Sequence, residues 1–221
     1  MAFNVAIDGP AGAGKSTIAK AVAAEMNFIY VDTGAMYRAI ALYLLRNGIQ
    51  ASENEKISEK CKEANVSIQY VDGKQVVLLN GEDVNPYIRT EEVGNMASAS
   101  STNPDVRAQL LDLQRDLAAH NDVIMDGRDI GTNILPNAQV KIYLTASIEV
   151  RAKRRYNELI AKGVDCNLAD IEKDIAERDE RDMNREIAPL RQAEDAVFLD
   201  TSDMCIDEVK EAIKELIRKN Q

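Results

Sequence analysis

Hydrophobic positions follow two different spacings along the chain, and the elements they predict alternate between strands and helices. Short continuous apolar runs predict buried strands, whereas apolar residues three or four positions apart predict amphipathic helices. Strands that alternate with crossover helices are typical of a parallel α/β sheet. We therefore predict an α/β fold with five parallel core strands, which cover residues 3–7, 28–31, 123–125, 140–144 and 197–199.

The helical segments lie between and after these strands. Thr33-Gly34 is expected to break the chain between the second strand and the second helix. Asn103-Pro104-Asp105 is typical of a helix start, because it offers a capping side chain, a proline in the first turn and an acid near the positive end of the helix dipole. The predicted helices span about residues 15–27, 35–47, 91–101 and 103–119, then 147–186 with a break near 163, and a final amphipathic segment from about 206.

Between about residues 52 and 92 the pattern changes to two β-runs joined by a tight turn. Residues 66–70 and 75–79 flank Asp72-Gly73, a dipeptide that is favoured in hairpin turns. An antiparallel hairpin within a parallel α/β chain predicts an inserted subdomain. An extension at the edge of the main sheet is the alternative interpretation.

The first predicted strand runs into a glycine-rich segment that matches the phosphate-loop pattern GxxxxGK followed by Ser or Thr. Its glycines allow several backbone N–H groups to point at one anion, and the helix that follows adds the positive end of its dipole. Lys15 would bridge the β- and γ-phosphates, and the Ser16 hydroxyl would hold Mg²⁺. An ordinary glycine-rich turn is the alternative. The loop comprises Gly9, Pro10, Ala11, Gly12, Ala13, Gly14, Lys15, Ser16 and Thr17.

Composition excludes several classes of function. The chain has 221 residues, and its 27 Lys and Arg against 37 Asp and Glu give a net charge of −10. A chain this acidic is not expected to bind nucleic acid or anionic membranes in general, so any anion site must be locally basic. With His120 as the one histidine, interpreted as a helix cap or a solvated position, a histidine-based triad or zinc site is not expected.

Cysteine usage and hydropathy indicate where the protein works. Cys61, Cys166 and Cys205 are odd in number and far apart, which is typical of free thiols in a reducing compartment. No apolar run approaches the ~20 residues of a membrane span, and the first strand begins too early for a signal peptide. We expect a soluble, cytoplasmic protein.

Arginines cluster in the charged segment near the C-terminus, where seven of the 14 lie between residues 151 and 191. A solvated face paired with Asp174, Glu177 and Glu180 is one interpretation. The phosphate loop favours another, because moving a phosphoryl group between two polyanions needs several converging cations. The spacing places on one helix face Arg178, Arg181, Asp182 and Arg185.

Longer motifs make the chain resemble the bacterial cytidylate kinases over essentially its whole length. The most specific elements are Tyr37-Arg38, Gly127-Arg128-Asp129 and Arg181-Asp182, and the matching segments are 8–17, 32–38, 81–84, 88–90, 126–132 and 178–190. The resemblance implies a single domain with a three-layer P-loop kinase core at 1–60 and 91–221. It also implies a small β-containing insert for the nucleoside monophosphate at about 61–90 and a short mobile helical lid at about 154–163.

The resemblance further implies ATP with Mg²⁺ as phosphoryl donor, CMP or dCMP as acceptor, and roles for individual residues. Phosphate would be bound by Arg38, Arg128 and Arg185. Cytosine would be faced by Ser98, Arg107 and Asp129, and the sugar by Arg178 and Asp182. Thr33 stands where some members have Ser and keeps the hydroxyl. Charge in the reaction would be compensated by Lys15, Arg128, Arg181 and Arg185.

The expected reaction is an in-line attack of the acceptor's phosphate oxygen on the γ-phosphorus. This oxygen is already anionic near neutral pH, so neither a strong base nor a covalent intermediate is needed. A nucleotide-dependent regulatory switch is one alternative, although the chain lacks an Asn-Lys-x-Asp segment that would read guanine. A kinase for another nucleoside monophosphate or for a hydroxyl compound is the nearer alternative. We expect a monomer.

Overall fold

The computed structural model describes residues 2–221 and has a five-stranded parallel sheet at its centre. Its strands are β1 (Asn4–Asp8), β2 (Ile29–Asp32), β3 (Val66–Val71), β4 (Lys74–Leu79), β5 (Glu82–Asp83), β6 (Val123–Gly127), β7 (Val140–Thr145) and β8 (Val197–Asp200). The central sheet has the order β2-β6-β1-β7-β8, whereas β3, β4 and β5 form a separate antiparallel sheet. The predicted α/β class and its five parallel strands are confirmed.

The helices are α1 (Lys15–Met26), α2 (Thr33–Arg46), α3 (Asn54–Lys60), α4 (Glu91–Ser100), α5 (Pro104–His120), α6 (Ile148–Ala161), α7 (Leu168–Asn184) and α8 (Ile206–Asn220). A 3-10 turn covers Cys61–Glu63, and a π-helical turn covers Ile130–Ile134. The hydrophobic spacing did not predict α3, because Ile57 is its one buried residue. Of the helices within residues 2–221, none is long and apolar enough to cross a membrane.

Alternate side chains of the central strands pack against helices on opposite faces of the sheet. Val5 and Ile7 of β1 lie in one hydrophobic cluster with residues of α1 and α8, whereas Ala6 lies in another with residues of α2, α4 and α5. In β6, Ile124 joins the first cluster and Met125 the second. The period-two geometry of a strand produces this division and gives the three-layer arrangement.

The carboxyl ends of three neighbouring strands bring three aspartates to one edge of the central sheet. Asp32 of β2 is in register with Asp126 of β6, and Asp8 of β1 is in register with Gly127. All three carboxylates are buried. Ligands of open parallel sheets bind outside this edge, so the polar residues that matter for function should be sought here.

Local capping moves two predicted boundaries. α2 begins at Thr33 directly after β2, so Thr33-Gly34 does not break the chain as predicted. Asp32 makes this start possible, because its Oδ1 accepts a hydrogen bond from the Ala35 amide at 2.9 Å. α1 ends at Met26, because Asn27 adopts a left-handed conformation with φ of 59°.

The charged segment near the C-terminus forms a helical hairpin of α6 and α7, and its end corrects one prediction. α7 ends at Asn184, and Arg185 has an extended backbone with φ of −66° and ψ of 142°. The chain turns at this point, since the Leu190 amide donates to the Asp182 carbonyl oxygen at 2.8 Å. Arg185 therefore does not share the helical face predicted for Arg178, Arg181 and Asp182.

The small antiparallel sheet docks onto the outer edge of β2 through two side chains. Gln75 Oε1 accepts from the Asp32 amide at 2.8 Å, and Gln75 Nε2 donates to the Asp32 carbonyl oxygen at 3.2 Å. Tyr70 donates its hydroxyl hydrogen to the Tyr30 carbonyl oxygen at 3.1 Å. These contacts satisfy backbone groups that an edge strand otherwise leaves unpaired. The domain boundaries around this sheet stay a prediction.

We expect Gln75→Ala to lower the free energy of unfolding by about 1–3 kcal/mol, because it removes two hydrogen bonds from backbone groups of Asp32. The Asp32 amide should also exchange its hydrogen faster. Urea unfolding and hydrogen exchange measure both effects. Gln69 is exposed on β3 of the same sheet, so Gln69→Ala is the matched control and should change little. Equal stability and exchange in the two variants would show that Gln75 does not hold the sheet.

Candidate functional site

The glycine-rich loop folds as its spacing requires. Gly9 has φ of 150°, and a Cβ at this position would lie 1.9 Å from the Leu144 carbonyl oxygen, so no side chain fits. Gly14 has φ of 91° at the start of α1, a left-handed conformation that favours glycine. The loop therefore ends at the N-terminus of α1, where free amides and the helix dipole favour an anion.

Lys15 is the buried cation of this loop. Its side chain is only 5% exposed, and its Nζ donates to the Pro10 carbonyl oxygen at 2.7 Å. Burial lowers the pKa of Lys15 well below its usual value and the charge of Arg128 lowers it further, while Asp126 acts in the opposite direction. A bound polyphosphate would stabilise the charged ammonium, so Lys15 is placed to bind one.

Asp126, near the end of β6, supplies oxygen atoms next to the loop. Its carboxylate accepts from Ser16 Oγ at 2.8 Å and from the Tyr30 hydroxyl at 2.9 Å, and its carbonyl oxygen accepts from Thr33 Oγ1 at 2.8 Å. Burial, followed by the nearby charge of Asp32, raises the pKa of Asp126 to about 6. Hydroxyl and carboxylate oxygens are the ligands that Mg²⁺ prefers, so Ser16 and Asp126 fit this ion.

Arg38 and Arg178 are partly buried and lie near Arg128, whose charge also acts on Lys15 of the loop. The Nε atom of each is buried and has no hydrogen-bond partner within residues 2–221. Burial, followed by the charge of Arg128, lowers the pKa of Arg178 to about 10. Arg128 itself donates from Nε to Asp182 Oδ2 at 3.0 Å. The unpartnered guanidinium donors of Arg38 and Arg178 can therefore bind the oxygens of a phosphate.

Asp129 lies at the centre of a second polar cluster. Its carboxylate pairs with Arg107 and accepts from Asn133 Nδ2 at 3.1 Å, and its Oδ1 lies 3.9 Å from an Arg185 nitrogen. Ser101 connects the two arginines, because its carbonyl oxygen accepts from Arg107 at 3.5 Å and its hydroxyl from Arg185 at 3.1 Å. The carboxylate is therefore held in one orientation by groups from several elements.

The structure brings most of the predicted site residues to this edge of the sheet, but not all of them make contacts there. The side chain of Arg181 is exposed and takes part in no hydrogen bond or ion pair among the described residues. The Ser98 hydroxyl likewise has no partner there, although its carbonyl oxygen accepts from Ser101 at 2.8 Å. The residues brought together are Lys15, Ser16, Thr33, Arg38, Arg107, Arg128, Asp129, Arg178, Asp182 and Arg185.

Three residues for which the sequence patterns predict no role also build the site. Asp126 could have been found as the acid that follows a buried strand, and Arg151 lies within the arginine-rich segment. Arg151 is 3% exposed and donates to the Ala11 carbonyl oxygen at 3.0 Å and to Asp179 at 2.5 Å. Ser101 carries no signal in the sequence, because its role depends on two distant arginines.

Comparison with known proteins shows similarity over nearly the whole chain. The cytidylate kinase family matches residues 5–219. The cytidylate kinase of Caldicellulosiruptor bescii is 50% identical over 217 residues, which are 98% of this chain and 96% of the relative. The cytidylate kinase of Bacillus subtilis (strain 168) is 46% identical over 98% of this chain and 97% of its own. An uncharacterized protein from Eubacterium ventriosum shares the fold, with a TM-score of 0.53, 14% identity and 99% of each chain covered.

We expect Asp126→Asn to stabilise the ligand-free protein, relative to wild type, increasingly as the pH rises from about 4 to about 6. The pKa of Asp126 is raised from 3.8 to about 6. Between these values the folded wild type binds more protons than the unfolded chain, so its stability falls as the pH rises. The amide of the variant does not titrate and escapes this loss.

Thermal unfolding of both proteins across this pH range measures the difference. Glu59 is exposed on α3, so Glu59→Gln is a control that should follow the wild type at each pH. A difference between Asp126→Asn and wild type that stays constant with pH would contradict the prediction.

Proposed function

The chain belongs to the cytidylate kinase family, and we propose that its site transfers the γ-phosphoryl group of ATP to the phosphate of CMP or dCMP. The family indicated by the sequence motifs is thereby confirmed. The products are ADP and CDP or dCDP, which makes the protein a phosphotransferase of pyrimidine nucleotide metabolism. One observation carries the mechanism: Arg128, whose charge acts on Lys15 of the loop, also lies near Arg38 and Arg178, and the buried Nε atoms of these two arginines have no hydrogen-bond partner within residues 2–221.

The donor side is the glycine-rich loop at residues 9–17. Its amides and the N-terminus of α1 favour phosphate oxygens, and Lys15 would bind between the β- and γ-phosphates of ATP. Two arginines hold the loop through its carbonyl oxygens. Arg151 donates to that of Ala11 at 3.0 Å, and Arg154 donates to that of Ala13 at 3.4 Å. Both arginines belong to α6, so movement of the predicted lid at about 154–163 would be coupled to the donor loop.

Mg²⁺ would be held by Ser16 and Asp126. Their side chains already lie 2.8 Å apart, and the Tyr30 hydroxyl holds the second carboxylate oxygen. When bound, the ion supplies positive charge at the β- and γ-phosphate oxygens. The same charge would stabilise the ionised form of the Asp126 carboxylate, whose pKa burial raises to about 6 in the ligand-free protein.

The acceptor phosphate would be bound by Arg38, Arg128 and Arg185, and the sugar by Arg178 and Asp182. The unpaired Nε of Arg38 supports this assignment, because a buried donor without a partner is costly unless a ligand satisfies it. The Asp182 carboxylate is 4% exposed and accepts from Arg128. It would therefore both orient that arginine and face the sugar hydroxyls.

The chemical step needs positioning and charge compensation. The acceptor's phosphate oxygen attacks the γ-phosphorus in line with the leaving ADP oxygen, so one P–O bond forms as another breaks. Lys15, Arg128, Arg181 and Arg185 would stabilise the charge that is shared by the reacting oxygens. The attacking oxygen is already anionic, and no residue has to remove a proton from it.

The base would be read by Ser98, Arg107 and Asp129. Asp129 lies two residues after the end of β6 and is 5% exposed. Its carboxylate can accept a hydrogen bond from the exocyclic amine of cytosine. Uracil has a carbonyl oxygen at that position, which would face the carboxylate as a second acceptor. We further propose that the protein acts as a cytoplasmic monomer that uses Mg²⁺ and binds no nucleic acid, which accords with its net charge of −10.

The function is tested by measuring ADP formation with ATP and a panel of acceptors. CMP and dCMP should be used well, and kcat/KM for UMP should be lower by up to about 10⁴–10⁵, since a site built around a buried polar contact rejects the mismatched analogue. Asp129→Asn offers an amide that donates as well as accepts. It should therefore lower kcat/KM for CMP and narrow the ratio of kcat/KM for CMP to that for UMP. Preferred use of a hydroxyl compound, or turnover that needs no acceptor, would overturn the proposed function. An unchanged ratio in Asp129→Asn would remove this residue from base recognition alone.

The arginines provide a second prediction. We expect Arg181→Lys and Arg185→Lys each to lower kcat/KM by at least about tenfold, because an ammonium cannot reproduce the two-pronged contact of a guanidinium. Arg185 already uses its fork, donating to the Ala188 carbonyl oxygen at 2.7 Å and to Ser101 at 3.1 Å. Arg218 in α8 is 58% exposed, so Arg218→Lys is the matched control and should stay within about twofold. Equal behaviour of the three variants would show that neither Arg181 nor Arg185 stabilises the reaction.

A further inference from the structure

Asp8, the last residue of β1, has contacts that the reaction described above does not use. Its side chain is buried, with 5% of the residue exposed. Oδ1 accepts from the Ile130 amide at 2.8 Å, and Oδ2 accepts from the Gly131 amide at 2.7 Å. These two amides follow Asp129 directly along the chain. One carboxylate next to the ATP loop therefore fixes the turn that carries the proposed base-reading residue.

Gly131 makes this close approach possible. A Cβ at this position would lie 3.3 Å from Asp8 Oδ2 and 3.2 Å from Lys141 Cδ. Gly131 is not among the residues with positive φ, so a side chain here would crowd its neighbours but would not strain the backbone conformation. The turn is packed directly against the Asp8 carboxylate.

The conformation of this turn also determines where the Asp129 carboxylate points. Asn133, four residues later, donates from its amide to the Asp129 carbonyl oxygen at 2.9 Å and from Nδ2 to the Asp129 carboxylate at 3.1 Å. Both contacts require the backbone of residues 129–133 to keep its conformation. The two hydrogen bonds to Asp8 hold the first part of this segment in place.

We propose that Asp8 is a positioning residue for the acceptor nucleotide, which holds the turn from Asp129 to Gly131 and so sets the base pocket against the ATP loop. The inference rests on the proposed contact between this turn and CMP. An aspartate suits the task because both its oxygens accept hydrogen bonds. An asparagine has the same shape, but its NH₂ group would face one of the two backbone N–H groups.

The kinetic signature separates this role from the other role open to Asp8. Asp8 also lies near enough to Lys15 to act on its charge. If that were its only contribution, Asp8→Asn would change the KM for ATP and leave the use of CMP and UMP in proportion. A positioning residue for the acceptor should instead change the KM for CMP and the CMP-to-UMP ratio.

The experiment compares Asp8→Asn with wild type in steady-state kinetics and in amide hydrogen exchange. We expect the KM for CMP to rise at least about fivefold, as the loss of one buried hydrogen bond implies. The CMP-to-UMP ratio of kcat/KM should narrow, the KM for ATP should stay within about twofold, and the Ile130 and Gly131 amides should exchange faster. An unchanged KM for CMP together with an unchanged ratio would overturn the proposal.

Glu25→Gln controls for a loss of stability alone. Glu25 lies near the end of α1 and pairs with Lys210 and Lys214 of α8 at 2.8 and 2.6 Å. This variant should unfold at a lower temperature and keep both the KM for CMP and the ratio. If Asp8→Asn showed the same pattern as Glu25→Gln, Asp8 would be structural only.

Two further variants keep the result decisive. If Asp8→Asn does not fold, Gly131→Ala tests the same turn, because the added Cβ would lie 3.3 Å from Asp8 Oδ2 and crowd this contact. Gly131→Ala must then raise the KM for CMP and narrow the CMP-to-UMP ratio of kcat/KM, or the proposal is wrong. Asp129→Asn is measured in parallel. If it leaves the ratio unchanged while Asp8→Asn raises the KM for CMP, the base contact of Asp129 fails and the positioning by Asp8 stands.

Discussion

Burial of charge at the carboxyl edge of the central sheet is the constraint on which the rest of the structure depends. Asp8, Lys15, Asp126 and Asp129 are each no more than 5% exposed. Ionised groups are costly to bury unless they are paired and hydrogen-bonded. The carboxylates satisfy this condition with backbone amides, hydroxyls and Arg107, whereas Arg38 and Arg178 each keep a buried Nε atom that has no partner within residues 2–221. The site is therefore complete in its anionic half and incomplete in its cationic half, and anionic substrates supply what is missing.

This imbalance explains how a chain with a net charge of −10 can bind two polyanions. The long-range field of the protein repels nucleotides, but the field within the cleft is set by local donors. Burial lowers the pKa values of Lys15 and Arg178, so their positive charges are destabilised in the ligand-free protein. Phosphate groups relieve this destabilisation when they bind. Part of the stability of the free protein is thus given up in favour of affinity for substrate.

The features that the sequence predicted are those determined by neighbouring residues. The glycine spacing around Lys15, the short apolar runs of the core strands and the Asp-Gly hairpin depend on neighbouring residues, and all three are found in the structure. The end of α7 before Arg185 depends instead on a backbone bond from Leu190, which no helical spacing reveals. The partnerships of Ser16 with Asp126 and of Arg151 with Ala11 span 110 and 140 positions. Such pairs depend on the order of the strands in the sheet, which the patterns of a single sequence do not reveal.

The end of β6 shows how one backbone can position two different parts of a single substrate. Arg128 and Asp129 directly follow β6, and Arg128 donates to Asp182 of α7 while Asp129 pairs with Arg107 of α5. β6 is paired with β1 on one side and with β2 on the other. If Arg128 binds the phosphate and Asp129 the base, as we propose, the separation between the two contacts is set by the end of a strand that is paired on both sides. Under the proposed roles, an acceptor would have to span that separation with an anionic oxygen at one end and a hydrogen-bond donor at the other, so the backbone would select the length of the acceptor and Asp129 would select its chemistry.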